Sequence, residues 1–290
     1  MSRNSLGALL MCLSMFGFAV MDSISKFLVQ SYPVMQTLWV RYVIYAGFAL
    51  LVARRGGILR QARSRRPWLQ FWRSILAMLE NAVFFLAFAY LPLAETHAIA
   101  ATSPLIVILL GAPMLGEKVG LHRWLAVLAG FAGVLLIVRP GLVSLEWPMA
   151  LPLVGALMWG LYQIMLRLVA RDDAPETTLL WSAFIGLGAA TLVVPFQWEP
   201  VTPTAWGFLL LIGILGAICH YGLIKAMDYA DASAMQPYSY TLLVWASVMG
   251  FLVFGDIPAI WTFLGGAIVV ASGLYTWHQD RRPAQRAPTP

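Results

Sequence analysis

The sequence has little charge for its length. Of its 290 residues, 60% are hydrophobic and 11% are charged, whereas about one-quarter of a soluble globular domain is charged. This balance excludes an ordinary soluble domain and indicates a protein that crosses a membrane several times. The two cysteines, Cys12 and Cys219, both lie in apolar segments, which argues against a disulfide framework or a thiolate metal site.

The motifs of several enzyme classes are also absent. The sequence contains no H-E-x-x-H, G-x-S-x-G or G-x-x-x-x-G-K-[ST] pattern. Gly255-Asp256 matches part of the G-x-G-D motif of intramembrane aspartyl proteases, but it falls in a turn at the end of an apolar segment. His220 has no second histidine at metal-ligand spacing. The sequence therefore predicts no enzyme activity, no metal site and no cofactor.

Ten apolar segments are present, each close to the 20 or so residues that a helix needs to cross the hydrocarbon. Turn residues and charge clusters place them at approximately 5–30, 34–53, 68–91, 95–115, 122–139, 147–170, 177–195, 205–228, 233–254 and 258–278. The first resembles a signal peptide, but its apolar run is too long for one, so we interpret it as a retained helix. The polar, proline-rich residues 279–290 are predicted to be a disordered cytoplasmic tail. The predicted fold class is an all-α integral membrane protein with ten transmembrane helices.

The basic residues predict the orientation of these helices. Of the nineteen lysines and arginines, thirteen fall in loops and tails on one side, Arg139 alone falls on the other, and five lie within the spans. Cytoplasmic loops carry the excess of basic residues, so both termini are predicted to be cytoplasmic in a plasma membrane, which is the inner membrane of a Gram-negative cell. The basic run at 54–66 is foremost a topology signal. Binding of anionic lipid is a second interpretation, and nucleic acid is not needed to explain it.

The two halves of the chain repeat each other in order. The matched positions are Met15-Phe16-Gly17 with Met158-Trp159-Gly160, Pro33 with Pro175, Trp39 with Trp181, Ala87 with Ala226, Tyr90 with Tyr229, and Gly116-Glu117 with Gly255-Asp256. Each half holds five predicted helices, an odd number, so the second half enters the membrane in the opposite orientation. Inverted repeats of this kind support alternating access to a central site and favour a transporter.

The chain also resembles a known family. Residues 94–137 and 243–275 are similar to the two EamA domains of the drug/metabolite transporter superfamily, most specifically in the acidic residue after glycine at Glu117 and Asp256. The resemblance implies two inverted five-helix repeats, at 5–139 and 147–278, around a central cavity. FAVMDSISK and LVFGDIP resemble a branch that moves riboflavin, S-adenosylmethionine or opine- and amino-acid-like metabolites.

Three ionisable residues lie in the outer half of the first two spans. Asp22 and Lys26 share one helical face because they are four residues apart. At about 1.5 Å per residue, Asp22 and Arg41 lie roughly 12 Å and 10 Å from the outer ends of their helices, so they are able to pair. Two interpretations stay open: a clamp between the two helices, or charges facing a vestibule that receives a substrate or a coupling proton. Lys26, nearer the outer end, is expected to reach water.

The third span carries Glu80-Asn81 near the midplane, with no cation beside it in sequence. Burial disfavours the ionised form of such a carboxyl group, which suits a proton carrier or a site for an amine. The alternative is a neutral acid hydrogen-bonded to a neighbouring helix. We count both residues as substrate-binding candidates.

Polar residues near the cytoplasmic end of the eighth span form a second group of candidates. His220, Lys225 and Asp228 are candidates for coupling or charge pairing, and the three-residue spacing of the last two also predicts simple mutual neutralisation. His97, at the outer mouth of the fourth span, is expected to be an interfacial residue rather than a ligand.

Deep aromatic and amide residues complete the predicted site. They are Trp159, Tyr162 and Gln163 in the sixth span and Tyr238 and Tyr240 in the ninth. Such residues provide flat stacking faces and hydroxyl groups to a substrate, or simply pack between helices.

These features, together with the resemblance, predict a secondary transporter of a small polar or zwitterionic metabolite, amino-acid-like or opine-like, with export as the expected direction. Proton exchange through Glu80 or Asp22 is one way to drive it, and facilitated transport is equally compatible. The alternatives are an importer of a vitamin or nucleoside-like metabolite, of riboflavin or S-adenosylmethionine type, and a non-transporting scaffold or receptor. The predicted partners are the metabolite, the lipid bilayer and coupling protons, while a homodimer stays open.

Overall fold

The computed structural model describes residues 3–103, 105–107, 109–110, 121–138, 147–229 and 238–281. Helices dominate these residues, which contain no β-strand. We number the ten helices of eight or more residues as follows: α1 Arg3–Val29, α2 Val34–Arg54, α3 Pro67–Tyr90, α4 Leu93–Ala100, α5 Leu121–Val138, α6 Ala150–Val169, α7 Pro175–Val193, α8 Pro203–Tyr229, α9 Thr241–Met249 and α10 Ile260–Arg281. A π-helical turn, Gly250–Phe254, continues α9.

Seven helices in the described residues, α1–α3, α6–α8 and α10, are long and apolar enough to cross a membrane. This finding confirms the predicted all-α membrane fold. The spans predicted at 95–115, 122–139 and 233–254 lie partly outside the described residues, so their full length stays a prediction. One boundary was wrong: α10 continues to Arg281, so the first residues of the predicted tail are helical, because no proline interrupts the helix before Pro283.

The helices pack as two inverted repeats should. Helix α1 packs mainly on α8, and α3 packs on α6. Both contacts join the first helix of one half to the third helix of the other half, so they are equivalent when the two five-helix halves are exchanged. Helix α2 packs on α7, and α5 packs on α10, so each of these pairs joins equivalent helices across the symmetry axis. The principal contacts therefore run between the halves, around an interface where a transporter places its substrate.

Two matched tryptophans tie the halves together at opposite ends of the fold. The indole of Trp39 on α2 donates to Oγ1 of Thr191 on α7 at 2.9 Å. The indole of Trp181 on α7 donates to the carbonyl of Ala62, in the connection after α2, at 3.0 Å. The sequence match between Trp39 and Trp181 thus has a structural equivalent, since both side chains donate across to the other repeat.

Helices α5 and α10 approach each other closely at two glycines. A Cβ atom on Gly133 would lie 2.7 Å from the carbonyl oxygen of Gly265, and one on Gly265 would lie 2.5 Å from the carbonyl oxygen of Gly133. Only glycine allows this backbone contact, which is typical of tightly packed membrane helices.

A fully buried arginine joins α3 to α7 near the end that is cytoplasmic in the predicted orientation. Arg73 has no exposed surface. Its Nη2 donates to Oε1 of Gln70 at 2.9 Å, to Oγ of Ser182 at 2.9 Å and to the carbonyl of Thr178 at 3.2 Å. Gln70 in turn donates to the carboxylate of Asp173, in the α6–α7 connection, at 2.9 Å. This network holds one repeat against the other.

Candidate substrate site

A cavity lies between α1, α3 and α4 of the first half and the equivalent helices α6, α8 and α9 of the second. Its polar lining consists of Asp22, Glu80, Asn81, His97, Ser103, Gln163, His220 and Ser239. Its methionine and aromatic lining consists of Met11, Met15, Phe18, Met21, Phe84, Phe85, Phe88, Trp159 and Tyr240. The empty space is about 930 Å³, including the part open to solvent, which is room for an organic metabolite rather than only an ion.

The charge of the lining has one sign. Asp22 and Glu80 contribute carboxyl groups, whereas no lysine or arginine is among the described residues that line the cavity. An anionic substrate with several carboxylates would therefore meet acidic groups without a lining cation to balance its charge. Neutral and cationic compounds fit this lining better.

The cavity brings together most of the predicted substrate residues. Asp22, Glu80, Asn81, Trp159, Gln163 and Tyr240 all line it. Tyr162 and Tyr238 do not belong to its described lining. Tyr162 is 2% exposed and turns toward α3, where the Arg73 guanidinium lies 5.5 Å from its ring. Tyr238 packs instead against the apolar cluster formed by α1 and α8.

Asp22 faces the cavity and a histidine that the sequence did not indicate. Its Oδ2 lies 3.2 Å from Nε2 of His97, and both side chains are at most 10% exposed. The separation is within ion-pair distance, although Nε2 is not aligned for a hydrogen bond. The His97 ring lies nearly parallel to the Phe84 ring, with 6.2 Å between the centroids. His97 is thus a buried lining residue, which corrects its assignment to the interface.

Arg41 does not form the predicted clamp with Asp22. Its Nη1 donates to Oδ1 of Asn81 at 2.7 Å, and its guanidinium lies 5.7 Å from the centroid of the Phe85 ring. Within the described part of the chain it has no carboxylate at ion-pair distance. Helical rise placed Asp22 and Arg41 at the same depth, but it does not determine the direction in which each side chain points around its helix. Arg41 therefore lies behind Asn81 and orients its amide.

Glu80 is a buried carboxyl group on the cavity wall. Its residue is 6% exposed, and it makes no hydrogen bond or ion pair with the other residues that the structure describes. The predicted alternative, in which a neighbouring helix hydrogen-bonds a neutral acid, is not what the described residues form. An unpaired ionisable group within a membrane is costly and is a default candidate for function.

His220 on α8 lines the cavity between two aromatic side chains. Its Nδ1 lies 2.9 Å from the carbonyl oxygen of Gly216. The Phe18 ring lies edge-on at 4.8 Å and the Tyr45 ring at 5.9 Å, measured between centroids. These contacts fix the orientation of the imidazole.

Lys26 joins two segments at the end of the fold that is outer in the predicted orientation, instead of reaching water. Its Nζ lies 3.2 Å from Oδ2 of Asp256 and 3.1 Å from the backbone carbonyl oxygen of Leu91. The Phe254 ring lies beneath the ammonium at 4.9 Å. The side chain of Lys26 is only 11% exposed, so the predicted snorkelling is wrong. The tie exists because the π-helical turn and Gly255, with φ at 69°, bring Asp256 back over α1.

Lys225 lies outside the described lining of the cavity. Its Nζ is 3.2 Å from Oε1 of Glu176, and the Tyr221 hydroxyl donates to the same oxygen at 3.2 Å. The side chain of Asp228 lies outside the described residues, so its pairing with Lys225 stays a prediction.

Three polar lining residues were missed by sequence reasoning, namely His97, Ser103 and Ser239. Serine carries no distinctive signal in an apolar helix. His97 did carry one, because it is an ionisable residue near the level of Asp22 in a neighbouring hairpin. We placed it at the interface since it comes soon after the Leu91-Pro92 turn, but that turn is itself covered by Lys26.

The architecture defines a class of protein. Inverted helical repeats around a central cavity are the architecture of secondary transporters. A profile described as the EamA-like transporter family matches residues 5–139 and again 147–276. The chain belongs to this family, so it is a membrane transporter of the drug/metabolite superfamily and not an enzyme.

Individual relatives are similar over three-quarters or more of the chain. A riboflavin transporter of Rhizobium johnstonii is 30% identical, covering 97% of this chain and 94% of its own. A pseudopaline exporter of Pseudomonas aeruginosa is 29% identical, covering 92% and 94%. An S-adenosylmethionine uptake transporter of Rickettsia bellii is 21% identical, covering 76% of each chain. A solved crystal structure at 18% identity has a TM-score of 0.68, covering 96% of this chain and 98% of that one, which shows the shared fold.

Proposed function

We propose that the protein carries a planar heteroaromatic metabolite that is neutral or cationic, and that riboflavin is the first compound to test. The single observation that carries this proposal is the cavity lining, in which aromatic rings and methionines surround carboxyl, amide and imidazole groups, with no lysine or arginine among the described lining residues. Aromatic faces stack on a flat ring system, and the polar groups orient its edges. The similarity to proteins named riboflavin transporters supports the same choice.

The transport cycle we propose is alternating access. The Lys26–Asp256 contact ties α1 of the first half to the turn after α9 of the second at the outer end. Rocking of one half against the other would break this tie and expose the lining residues Asp22 and His97 to the outer side. Closing it again would return the substrate to the cytoplasmic side.

The first test is riboflavin transport in proteoliposomes that contain the purified protein. We expect Trp159→Ala to weaken riboflavin binding by about 10-fold, because stacking of a base on an aromatic side chain contributes about 1–3 kcal/mol. The matched control is Trp68→Ala, since Trp68 is 75% exposed and lies outside the described lining, and this variant should behave as wild type. Absence of riboflavin flux above protein-free vesicles would reject the proposal.

A second candidate is the zwitterionic, opine-like metabolite that the sequence favoured, with export as the direction. The 29% identity with the pseudopaline exporter supports it. The same vesicles test both candidate substrates. An opine-like substrate would either compete with riboflavin for the cavity or be transported in its place. Loading vesicles of known sidedness with each compound in turn tests uptake against export.

We further propose that Glu80 carries the coupling proton. A gradient of one pH unit corresponds to about 1.4 kcal/mol, which supports about 10-fold accumulation at one proton per substrate. Glu80→Gln cannot release a proton, so accumulation should fall to the equilibrium ratio while exchange of labelled for unlabelled substrate continues. The measurement is accumulation under an imposed pH gradient.

Glu199→Gln is the control for this prediction, because it makes the same chemical change on an exposed residue in the α7–α8 connection. It should leave accumulation unchanged. Full pH-driven accumulation by the Glu80→Gln protein would show that the proton travels by another route or that transport is facilitated.

A further inference from the structure

His220 presents an unused hydrogen-bond acceptor to the cavity. Its Nδ1 lies 2.9 Å from the carbonyl oxygen of Gly216, and a carbonyl oxygen only accepts hydrogen bonds, so Nδ1 must carry the hydrogen. In a neutral imidazole the other nitrogen, Nε2, then holds a lone pair. Nε2 has no hydrogen-bond partner among the residues that the structure describes.

The charge environment favours this neutral form of the ring. Within the described residues no carboxylate lies at ion-pair distance from His220, so a protonated ring would have no counter-ion there. The imidazole packs against the rings of Phe18 and Tyr45, which restrict its rotation. The acceptor is therefore fixed in direction before a substrate arrives.

The equivalent position in the first half is used differently. The spacing that matches Ala87 with Ala226 also matches Asn81 with His220. Asn81 likewise donates to the carbonyl four residues back, from Nδ2 to Ala77 at 2.6 Å, but its Oδ1 already accepts from Arg41. The amide oxygen of Asn81 thus already has a donor within the protein, whereas Nε2 of His220 has none among the described residues and is available to a ligand.

We propose that Nε2 of His220 accepts a hydrogen bond from a ring N–H of the substrate, and so selects heteroaromatic compounds that carry such a donor on their edge. This inference rests on the proposed function. In riboflavin the donor is the imide N–H between two carbonyl groups. A site that supplies a fixed acceptor discriminates against an analogue without the donor, because the bound analogue displaces water from the acceptor and leaves it unpaired.

The experiment compares binding of riboflavin and N3-methylriboflavin, in which a methyl group replaces that hydrogen, to the purified protein in detergent. Wild type should bind riboflavin at least about 10-fold more tightly. His220→Asn retains an amide near the Nδ1 position but nothing at Nε2, so it should bind the two compounds with nearly equal affinity. His220→Gln places an acceptor near Nε2 and should recover part of the preference.

Trp159→Phe is the matched control, because it changes a stacking face and should weaken both compounds by the same factor. Equal binding of the two compounds by wild type would overturn the inference without any variant, even if His220→Asn does not fold. An undiminished preference in folded His220→Asn would also overturn it, while riboflavin binding itself survives. If wild type binds neither compound, the proposed function and this inference fall together.

Discussion

Asp256→Asn should both destabilise the protein and open the outer end of its cavity. The substitution removes the carboxylate that lies 3.2 Å from Lys26 and leaves a cation that is 11% exposed, which among the described residues keeps its contacts with the Leu91 carbonyl and the Phe254 ring. Breaking a fully buried pair costs about 3–5 kcal/mol. The side chain of Asp256 is 30% exposed, so we expect about 1–3 kcal/mol of unfolding free energy to be lost.

Replacing Lys26 and replacing Asp256 should not destabilise the protein equally. Lys26→Met leaves Asp256, which water reaches, whereas Asp256→Asn leaves the more deeply buried Lys26, so Asp256→Asn should be the more destabilising change. The double variant should recover part of the loss, because neither charge then remains unpaired. Thermal unfolding of the four proteins in detergent measures this cycle. Additive losses in the double variant would mean that the interaction between the two residues contributes nothing to stability.

Opening of the cavity is a separate readout of the same change. Ala101 lines the cavity, so a cysteine placed there, after replacement of Cys12 and Cys219, reports its accessibility. Asp256→Asn should speed labelling of this cysteine by a membrane-impermeant maleimide added from outside. Unchanged labelling would show that Lys26–Asp256 stabilises the fold without closing the outer path.

Arg73→Met should cause the largest loss of stability at the opposite end of the fold. Arg73 is fully buried, and its removal leaves Oε1 of Gln70 without its donor and takes one donor from Ser182 and from the Thr178 carbonyl, which still accepts from Ser182. A buried acceptor that is left without its donor costs about 1–3 kcal/mol, so we expect a loss of unfolding free energy of this order. Arg73→Lys should fall between wild type and Arg73→Met, because an ammonium cannot reproduce the planar fork of a guanidinium.

The matched control is Arg54→Met, an exposed arginine at the end of α2, which should change stability by no more than about 0.5 kcal/mol. A second readout follows the connection after α2. Gln70 and Ser64 both contact Asp173, so loss of the network should speed tryptic cleavage at Arg63 and Arg65 in inside-out vesicles. Equal stability of the Arg73→Met and Arg54→Met proteins would contradict this account of the network.

Several parts of the site were predictable from residue type alone. An ionisable residue in an apolar span is costly unless it faces a cavity or a partner, and on this ground Asp22 and Glu80 were identified before their positions were known. Trp159 and Tyr240 were identified because they are aromatic residues deep within their predicted spans. All four residues line the cavity.

Pairing was not predictable in the same way. Lys26 and Arg41 were both expected near Asp22, yet they contact Asp256 and Asn81, while Asp22 lies beside His97. Depth along a helix follows from counting residues, but the partner of a side chain depends on its direction around the helix and on which helices are neighbours. Asp256 is 230 residues from Lys26 in the chain, and no local pattern links two positions so far apart.

The sequence by itself determined that this protein is a helical membrane transporter built from two inverted repeats. That followed because the cost of exposing polar backbone to lipid admits few structures for a chain so apolar, and because the matched residues recur in order. The tertiary structure alone decided which charges meet, since the packing of α1 on α8 and α9 brings groups from distant segments within a few ångströms. For the same reason, only the tertiary structure shows that carboxyl and imidazole groups line the cavity. Lys26 and Arg41 are not part of the described lining.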